Sequence, residues 1–459
     1  MNIEFNKDYY YALIPIFVTG VMGWLNLDFF IDDGLIYARY IQNFSDGHGL
    51  VYNRGEVFNG LTSPLFTYIA ILVNELIENS MLSLNYVSMF FHVALVFTVF
   101  RYSSWNVYWK ISIGLLLSSS PYILRLYGME TSLYLFLITL NLLFFEKNNT
   151  FSLGIALSAL ILTRSEGMFL GLGMLFMHLY YKRGIPPISH FLIPAVIFFA
   201  HFGFNITYYG QALPDSSTAK LLQGQSGYWS GGLTFFPYFY IILDKYGLLF
   251  WALPFAAFGL VKSRRSSEHA LILFLLLLSC FYVVLKIPHY QWYYAPMVLA
   301  YYYFSVLGLV ALTGKYLKVK RPIILSTAAF GVIIATIIPI EADLRFKSTN
   351  SYQHIGKWLR ANVPVDSKLA AVEIGMLGYF SELYIIDILG LIDRTNAEHI
   401  ANRNLDAWMD SYDADLILVH DPLWELEESA NSAIEKGFLV HSEFKFEGYT
   451  LLTRSATSD

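Results

Sequence analysis

Residues 32–65 read DDGLIYARYIQNFSDGHGLVYNRGEVFNGLTSPL, and they follow the first long apolar run of the chain. Two adjacent carboxylates, Asp32 and Asp33, open this polar stretch at a point where a membrane exit usually carries Trp, Tyr or a scattered charge. Further polar residues follow them closely, namely Arg39, Asp46, His48, Arg54 and Glu56. This composition indicates a functional site at a membrane surface rather than a simple membrane anchor.

The composition of the whole chain is that of an integral membrane protein. Hydrophobic residues make up 56% of the 459 residues and charged residues only 14%, with 37 Phe and 34 Tyr. A soluble core does not require so much apolar surface. The net charge of -5 argues against a nucleic-acid partner. The single cysteine, Cys280, excludes a disulfide framework within one chain.

About eleven apolar runs are long enough, allowing for tilt, to cross roughly 30 Å of hydrocarbon. The first run lacks the basic segment and cleavage site of a signal peptide, so we expect it to be retained. The predicted spans lie near 9–30, 84–101, 110–124, 132–145, 150–163, 168–181, 188–209, 236–261, 269–287, 293–313 and 322–340.

Lys and Arg predict the orientation, because they concentrate in cytoplasmic connections. Basic and basic-poor connections alternate along the chain, which puts 31–83, 210–235 and the tail outside a cytoplasmic (inner) membrane. The run 64–77 is short for a crossing, so we interpret it as an interfacial or re-entrant helix, with an ordinary span as the alternative. The basic connections hold Arg101 and Lys110, Lys147, Lys182 and Arg183, Lys262 to Arg265, and Lys315 to Arg321.

The character of the chain changes after residue 340, where charges become frequent and the long apolar runs end. We therefore predict a membrane domain over 1–340 and an extracytoplasmic α/β domain over 341–459. Alternating apolar residues predict five strands, and amphipathic stretches predict three helices. The strands lie near 368–374, 383–389, 415–420, 437–444 and 447–453, and the helices near 350–362, 405–411 and 424–436.

We expect Asp32 and Asp33 to have different roles, because neighbouring side chains on a helix or strand point in different directions. A carboxylate in a partly desolvated cleft beside a second negative group has its pKa raised toward that of a general base. One of Asp32 and Asp33 therefore suits proton abstraction from a sugar hydroxyl. The other orients an acceptor, holds the loop, caps the following helix or binds a divalent cation.

Other polar residues are predicted on the same side of the membrane. Glu130, Arg164 and Glu166 lie at the outer ends of apolar helices, either as ion pairs between helices or as parts of a site. Lys220 follows a turn and several hydroxyls in the 210–235 loop, a pattern that suits a phosphate. The aromatic segment 288–294 contains His289, Tyr290 and Trp292, whose rings suit either a membrane interface or stacking against a sugar.

Several common chemistries leave no trace in the sequence. It contains no HExxH motif, no cysteine pair, no Walker A loop and no GxGxxG after a strand, so neither a zinc site nor a nucleotide site is indicated. No metal site and no firm cofactor is predicted. An activated sugar on the outer side is expected to be carried on a lipid phosphate.

Taken together, these motifs resemble those of the GT-C membrane glycosyltransferases. The resemblance is greatest to the terminal β-(1,2)-arabinofuranosyltransferases of cell-wall arabinan and to their relatives in pilin glycosylation, and it extends into the tail from Glu373 to Asp393. Departures from the family pattern occur at Asn59, Ser63, Ser165 and Asp215-Ser216. The matching segments are Asp32-Asp33, 36–40, 47–53, 60–64, 128–131, 163–167 and 213–216.

The resemblance implies a GT-C fold and inverting transfer of a sugar, such as arabinofuranose, from a polyprenyl-phosphate donor to a hydroxyl of a cell-envelope glycan or protein. It favours Asp32 over Asp33 as the base by a small margin. The remaining roles that it implies fall into three groups: secondary acids, Glu130 and Glu166; ligands of the donor phosphate, Arg164, Lys220 and His289; and substrate-binding residues, Arg39, His48, Tyr290 and Trp292.

Three other functions stay open at this point, and the density of motifs disfavours one of them, a purely structural membrane subunit. A secondary transporter also has many spans and intramembrane charges, but it would show paired repeats with broken helices near the midplane. A flippase for lipid-linked sugars would bind the same donor, but it would need polar groups on both sides of the membrane. The charges here collect at one interface, which favours the enzyme.

Overall fold

The computed structural model of the chain describes residues 8–184, 187, 190, 192–246, 249–316 and 351–454. Most of the described part before residue 316 is helical. The helices are α1 (Asp8–Trp24), α2 (Asp32–Ser45), α3 (Pro64–Ile77), α4 (Ser80–Tyr102), α5 (Val107–Ser118), α6 (Pro121–Leu124), α7 (Thr131–Glu146), α8 (Thr150–Thr163), α9 (Met168–Tyr180), α10 (Leu192–Tyr209), α11 (Asp215–Ser226), α12 (Phe235–Lys245), α13 (Leu249–Lys262), α14 (Ser266–Val284) and α15 (Ala295–Ala311).

Three helical segments of the described chain are long and apolar enough to cross a membrane, and five shorter apolar helices accompany them. The protein is therefore a multi-pass membrane protein. The run 236–261 forms two helices, α12 and α13, rather than the single expected span, because Asp244 and Lys245 interrupt its apolar character. The span predicted near 322–340 and the domain boundary at 340 lie outside the described residues. The three long segments are Ser80–Tyr102, Ser266–Val284 and Gln291–Gly314.

Helix α3 corresponds to the short apolar run after the outer loop. It has 14 residues, begins at Pro64 and ends where Glu78 adopts a left-handed conformation with φ 53°. A helix of that length extends about 21 Å, which is short of the roughly 30 Å of a hydrocarbon core. Since α8 has the same 14 residues and was predicted to cross, the interfacial or re-entrant position of α3 stays a prediction.

The C-terminal part is a five-stranded sheet with helices, as the alternation of the sequence indicates. The strand order is β2-β1-β3-β5-β4, with β1 parallel to both β2 and β3, and β5 antiparallel to β3 and β4. All five predicted strands are present, whereas the helices Gly375–Ser381 and Arg394–Ala401 were not expected. The strands are β1 (Lys368–Ala371), β2 (Tyr384–Asp387), β3 (Leu416–His420), β4 (Phe438–Val440) and β5 (Tyr449–Arg454).

The sheet topology determines which edge of this domain carries a site. The chain leaves β1 to form β2 on one side and later forms β3 on the other side. Crevices beyond the carboxyl ends of parallel strands at such a reversal are the usual ligand sites of open α/β sheets. Glu373 follows β1 and Asp387 is the last residue of β2. Both acids therefore lie at this edge.

Arg39 of α2 fastens the sheet domain to the outer loop. Its Nε donates to the Tyr52 carbonyl at 2.7 Å, its Nη2 to the Leu383 carbonyl at 2.5 Å, and its Nη1 to the Gly378 carbonyl. Asn53 adds two bonds at the edge of β2, donating to the Ile385 carbonyl at 2.9 Å and accepting from its N–H at 3.0 Å. These buried polar contacts hold β2 and the Gly375–Ser381 helix against α2 and the loop that follows it.

Candidate functional site

Asp32 and Asp33 begin α2, and their side chains have different surroundings. Both carboxylate oxygens of Asp32 accept backbone hydrogen bonds, Oδ2 from Gly375 at 2.9 Å and Oδ1 from Met376 at 2.7 Å. A Cβ atom at Gly375 would lie 1.8 Å from the Asp32 carbonyl oxygen, so only glycine permits this approach. Both oxygens of the Asp32 carboxylate are therefore occupied by the first turn of the Gly375–Ser381 helix.

Asp33 instead lines a pocket at the junction of the two domains. Burial is the main cause that raises the pKa of Asp33 to about 6, and the negative charge of Asp32 adds to the rise, while Lys220 opposes it. A carboxylate with such a pKa is ionised at neutral pH and still basic enough to accept a proton. The other lining residues are Ile36, Tyr37, Gly60, Thr62, Met129, Ser216, Lys220, Trp292, Leu391 and Ile392.

Helix α11 brings a hydroxyl and a cation to the same pocket. Ser216 and Lys220 are four residues apart, so their side chains share one face of the helix. The Ser216 side chain is buried, and its hydroxyl has no hydrogen-bond partner within the described ranges. Because buried polar groups are normally satisfied, an unpaired hydroxyl in a pocket points to a ligand that completes it.

Three aromatic rings surround the Lys220 ammonium. Its Nζ lies 5.6 Å from the centroid of Tyr290, 5.7 Å from Trp292 and 5.6 Å from Tyr293. Cation–π attraction is significant within about 6 Å, so the rings hold the charge in place without neutralising it. Tyr290 and Trp292 stack on each other at 4.8 Å. The predicted aromatic segment therefore meets the predicted lysine at the pocket wall.

Glu130, Arg164 and Glu166 form a buried ion-pair network below the pocket. Arg164 Nη1 lies 2.6 Å from Glu130 Oε1 and its Nη2 lies 2.8 Å from Glu166 Oε1. Tyr37 connects this network to the pocket, since its hydroxyl donates to Glu130 Oε2 at 3.3 Å and contacts Thr62 Oγ1 at 2.8 Å. Two carboxylates thus engage the guanidinium, and its positive charge is balanced internally.

Three other residues from the sequence predictions lie elsewhere. Arg39 is buried against backbone carbonyls of the sheet domain, as described above. His48 is exposed on the loop after α2. His289 contacts Thr234 at 2.7 Å and packs among aromatic rings, and its burial lowers its pKa. His289 is not among the residues that line the pocket of Asp33.

The structure adds residues that the sequence predictions did not assign to the site. Leu391 and Ile392, on the loop after β2, form a wall of the pocket. Asp387 holds that loop by accepting from Leu389 N–H at 2.9 Å and Ile392 N–H at 2.8 Å. Burial raises the pKa of Asp387 to about 7. The tail motif of the sequence includes this loop, but only the tertiary fold brings Leu391 and Ile392 to the pocket that Asp33 lines.

The sequence predicted that the hydroxyls before Lys220 suit a phosphate, but it did not single out Ser216 among them. Hydroxyl residues at 216–218 precede Lys220 on a helix, and only Ser216 stands one full turn before the lysine. In the part of the chain that the structure describes, no group of three or more His, Cys, Asp or Glu side chains is arranged to hold a metal ion.

Comparisons with solved structures show that the fold is shared with known membrane proteins. ArnT from Cupriavidus metallidurans bound to undecaprenyl phosphate aligns with a TM-score of 0.67 at 12% identity, covering 98% of this chain and 99% of that one. The apo state of the same ArnT aligns with a TM-score of 0.60 at 11% identity, with the same coverage. The GT-C fold expected from the sequence is thereby confirmed.

A third solved structure is similar over part of its length. The arabinofuranosyltransferase AftD from Mycobacteria aligns with a TM-score of 0.51 at 11% identity, over 98% of this chain but only 40% of AftD. Residues 342–457 match a family model described as a domain of unknown function, DUF8728. No curated protein sequence matches the chain.

Proposed function

We propose that this protein is an inverting membrane glycosyltransferase that moves a sugar from a polyprenyl-phosphate donor to a hydroxyl acceptor. The observation that carries this proposal is a single pocket lined by Asp33 on one helix and by Ser216 and Lys220 on another. Such a transfer requires a general base for the acceptor hydroxyl and donor groups that bind the departing phosphate. The shared fold of ArnT, whose structure contains undecaprenyl phosphate, supports the lipid donor.

The proposed reaction is a single displacement at the anomeric carbon. Asp33 removes the proton from the acceptor hydroxyl as its oxygen forms a bond to that carbon. The bond between the anomeric carbon and the phosphate oxygen breaks on the opposite face, and polyprenyl phosphate leaves with the electron pair. The proton ends on Asp33 and is released to water through the open pocket. The sugar is transferred with inversion.

Lys220 and Ser216 are assigned to the departing phosphate. The transition state carries growing negative charge on the phosphate oxygen, and donors placed there beforehand stabilise it. The Lys220 ammonium supplies charge from its aromatic cage, and the unpaired Ser216 hydroxyl supplies a directional donor. Arg164 is less suitable, because Glu130 and Glu166 already engage its guanidinium.

The ion-pair network is assigned a supporting role in place of direct catalysis. Removing one member of a buried ion pair leaves an uncompensated charge, at a cost of about 3–5 kcal/mol. Glu130, Arg164 and Glu166 therefore fix the floor on which Tyr37 and Thr62 present their hydroxyls to the acceptor. This assignment keeps Glu130 and Glu166 in the acceptor region but gives proton transfer to Asp33 alone.

The proposed substrate is a pentofuranose such as arabinofuranose, and the proposed acceptor is a hydroxyl of a cell-envelope glycan or protein. The sequence motifs and the similarity to AftD support this choice. The stacked rings of Tyr290 and Trp292 provide an apolar face for a sugar ring. We place the reaction at the outer face of the cytoplasmic membrane, which the distribution of Lys and Arg supports.

Transfer can be tested with purified protein and synthetic polyprenyl-phosphate pentofuranoses, pentopyranoses and hexoses. The measurement is release of polyprenyl phosphate together with appearance of the glycosylated acceptor. We expect turnover with a pentofuranose that Asp33→Asn abolishes and that the exposed control Asp28→Asn retains. Movement of intact donor between the leaflets of proteoliposomes, without cleavage, would contradict the proposal and favour a flippase.

A further inference from the structure

Helix α11 carries a third polar side chain beside the two that are assigned to the phosphate. Gln223 follows Lys220 by three residues and Ser216 by seven, so the three side chains share one face of the helix. Unlike the other two, Gln223 does not line the pocket of Asp33. It is fully buried, at 0% exposure, so its amide group needs hydrogen-bond partners inside the protein.

Two distant parts of the chain supply those partners. The Tyr290 hydroxyl donates to Gln223 Oε1 at 3.2 Å, and Gln223 Nε2 donates to the Leu389 carbonyl at 3.3 Å. A backbone carbonyl can only accept, so the NH₂ group of Gln223 must face Leu389 and its oxygen must face Tyr290. The amide of Gln223 therefore bridges the aromatic segment 288–294 and the C-terminal domain.

The Leu389 end of this bridge is held firmly by the C-terminal domain. Asp387, the last residue of β2, accepts from the N–H of Leu389 at 2.9 Å and from the N–H of Ile392 at 2.8 Å. The Leu389 carbonyl lies in the chain between these two N–H groups. One buried carboxylate thus fixes the loop on both sides of the carbonyl that Gln223 binds.

The Tyr290 end of the bridge reaches the aromatic cage of Lys220. The Tyr290 ring lies 5.6 Å from Lys220 Nζ and stacks on Trp292 with 4.8 Å between ring centroids. A hydrogen bond to the Tyr290 hydroxyl therefore restrains a ring that faces the ammonium. Helix α11 also packs closely against the start of this segment, since a Cβ atom at Gly224 would lie 2.3 Å from the Lys286 carbonyl oxygen.

We propose that Gln223 is a positioning residue, which holds the Tyr290 ring against Lys220 from the fixed carbonyl of Leu389 and so makes the phosphate site depend on the C-terminal domain. The inference rests on the proposed function for its effect on transfer, but the two hydrogen bonds do not depend on that function. Gln223 touches neither substrate and acts through Lys220. Misplacement of a catalytic group by about 1 Å can cost about 100-fold in rate.

The first test removes the bridge in the full-length protein. Gln223→Met keeps the length of the side chain and deletes both hydrogen bonds, so we expect kcat/KM for transfer to fall about 10–100-fold. Gln225, an exposed glutamine two residues further along α11, provides the matched control Gln225→Met, which should keep the wild-type value. An unchanged kcat/KM in Gln223→Met, or an equal loss in both variants, would overturn the proposal.

Tyr290→Phe tests the same bridge with less disturbance of the core. It keeps the ring beside Lys220 and deletes only the hydroxyl that donates to Gln223. We expect Tyr290→Phe, Gln223→Met and the double variant to lose about the same factor in kcat/KM, because all three lack the same hydrogen bond. Losses that multiply in the double variant would show that Gln223 does not act through Tyr290, and the proposal would be wrong.

A double-mutant cycle with Lys220 separates positioning from general support of the fold. In a Lys220→Met background the ammonium that the bridge positions is missing. Adding Gln223→Met to that background should therefore lower kcat/KM by less than about twofold. A glutamine that only supports the fold would cost the same factor in both backgrounds, and that result would refute the positioning role.

Binding of the lipid phosphate keeps the test independent of transfer. We expect Gln223→Met to bind undecaprenyl phosphate about tenfold more weakly than the wild type and Gln225→Met in detergent micelles, measured by titration calorimetry. Equal affinity in all three proteins would show that the cage does not need the bridge, and the proposal would fail. If binding weakens as expected but the wild type transfers no sugar, the bridge stands and the proposed function fails.

Discussion

Replacing Asp33 by Asn tests the base most sharply, because Asn keeps the size of the side chain and removes its ability to take a proton. Positioned general bases contribute about 10²–10⁴-fold to rate, which corresponds to about 3–5 kcal/mol of the barrier. We expect Asp33→Asn to lose at least about 100-fold in kcat/KM. Asp32→Asn should also lower the rate, but by disturbing the amide contacts with Gly375 and Met376.

The pKa of Asp33 predicts how strongly kcat/KM depends on pH. With its pKa raised to about 6, Asp33 is about nine-tenths ionised at pH 7 and about one-tenth ionised at pH 5. Only the ionised form accepts a proton, so kcat/KM of the wild type should fall about tenfold as pH drops from 7 to 5. The residual kcat/KM of Asp33→Asn should not fall between pH 7 and pH 5.

The assay is the initial rate of polyprenyl-phosphate release by purified protein at low donor concentration, over a series of buffers at constant ionic strength. Asp28→Asn, in an exposed position upstream, controls for a general loss of charge. Two results would refute the reasoning: an acidic limb with the same midpoint in Asp33→Asn, or a variant that keeps a third of the wild-type rate. Either would assign proton transfer to another group.

Three further substitutions test the surroundings of the base. Lys220→Met should lower kcat/KM about 10–150-fold, because a hydrogen bond to a charged group contributes about 1.5–3 kcal/mol. Steady-state kinetics measures this loss, and Lys220→Arg should restore part of the activity. Gly375→Ala places a Cβ 1.8 Å from the Asp32 carbonyl oxygen, so it should separate the domains and speed limited proteolysis, unlike Gly203→Ala in open space. Arg39→Met should lower the thermal stability by several degrees, since buried carbonyls left unpaired cost about 1–3 kcal/mol each; an unchanged melting temperature would contradict its anchoring role.

Hydropathy and alternation predicted the architecture because both follow from local sequence. Within the described residues the predicted apolar runs fall on helices, and the five strands of the C-terminal sheet lie where the pattern predicted them. The prediction of one helix over 236–261 was wrong. The long apolar flanks of this run hid the break that Asp244 and Lys245 mark near its middle. The short helix Gly375–Ser381 was missed because its two glycines lower helix propensity.

The functional residues were harder to separate, because their roles depend on contacts between distant parts of the chain. Asp32 and Asp33 look equivalent in the sequence until Gly375 and Met376, more than 340 residues later, bind one of them. Arg39 resembled a substrate ligand for the same reason, since two of its three partners, Gly378 and Leu383, belong to the distant C-terminal domain. Tertiary contacts, rather than residue type, decide which charged side chains stay available for a ligand.

The most direct measurement is a structure of the wild-type protein with a non-hydrolysable polyprenyl-phosphonate sugar. The account predicts the phosphonate within hydrogen-bonding distance of Ser216 Oγ and Lys220 Nζ, and the anomeric carbon turned toward the Asp33 carboxylate with room for an acceptor hydroxyl between them. A head group bound at Arg164 or His289, with the pocket beside Asp33 empty, would contradict it.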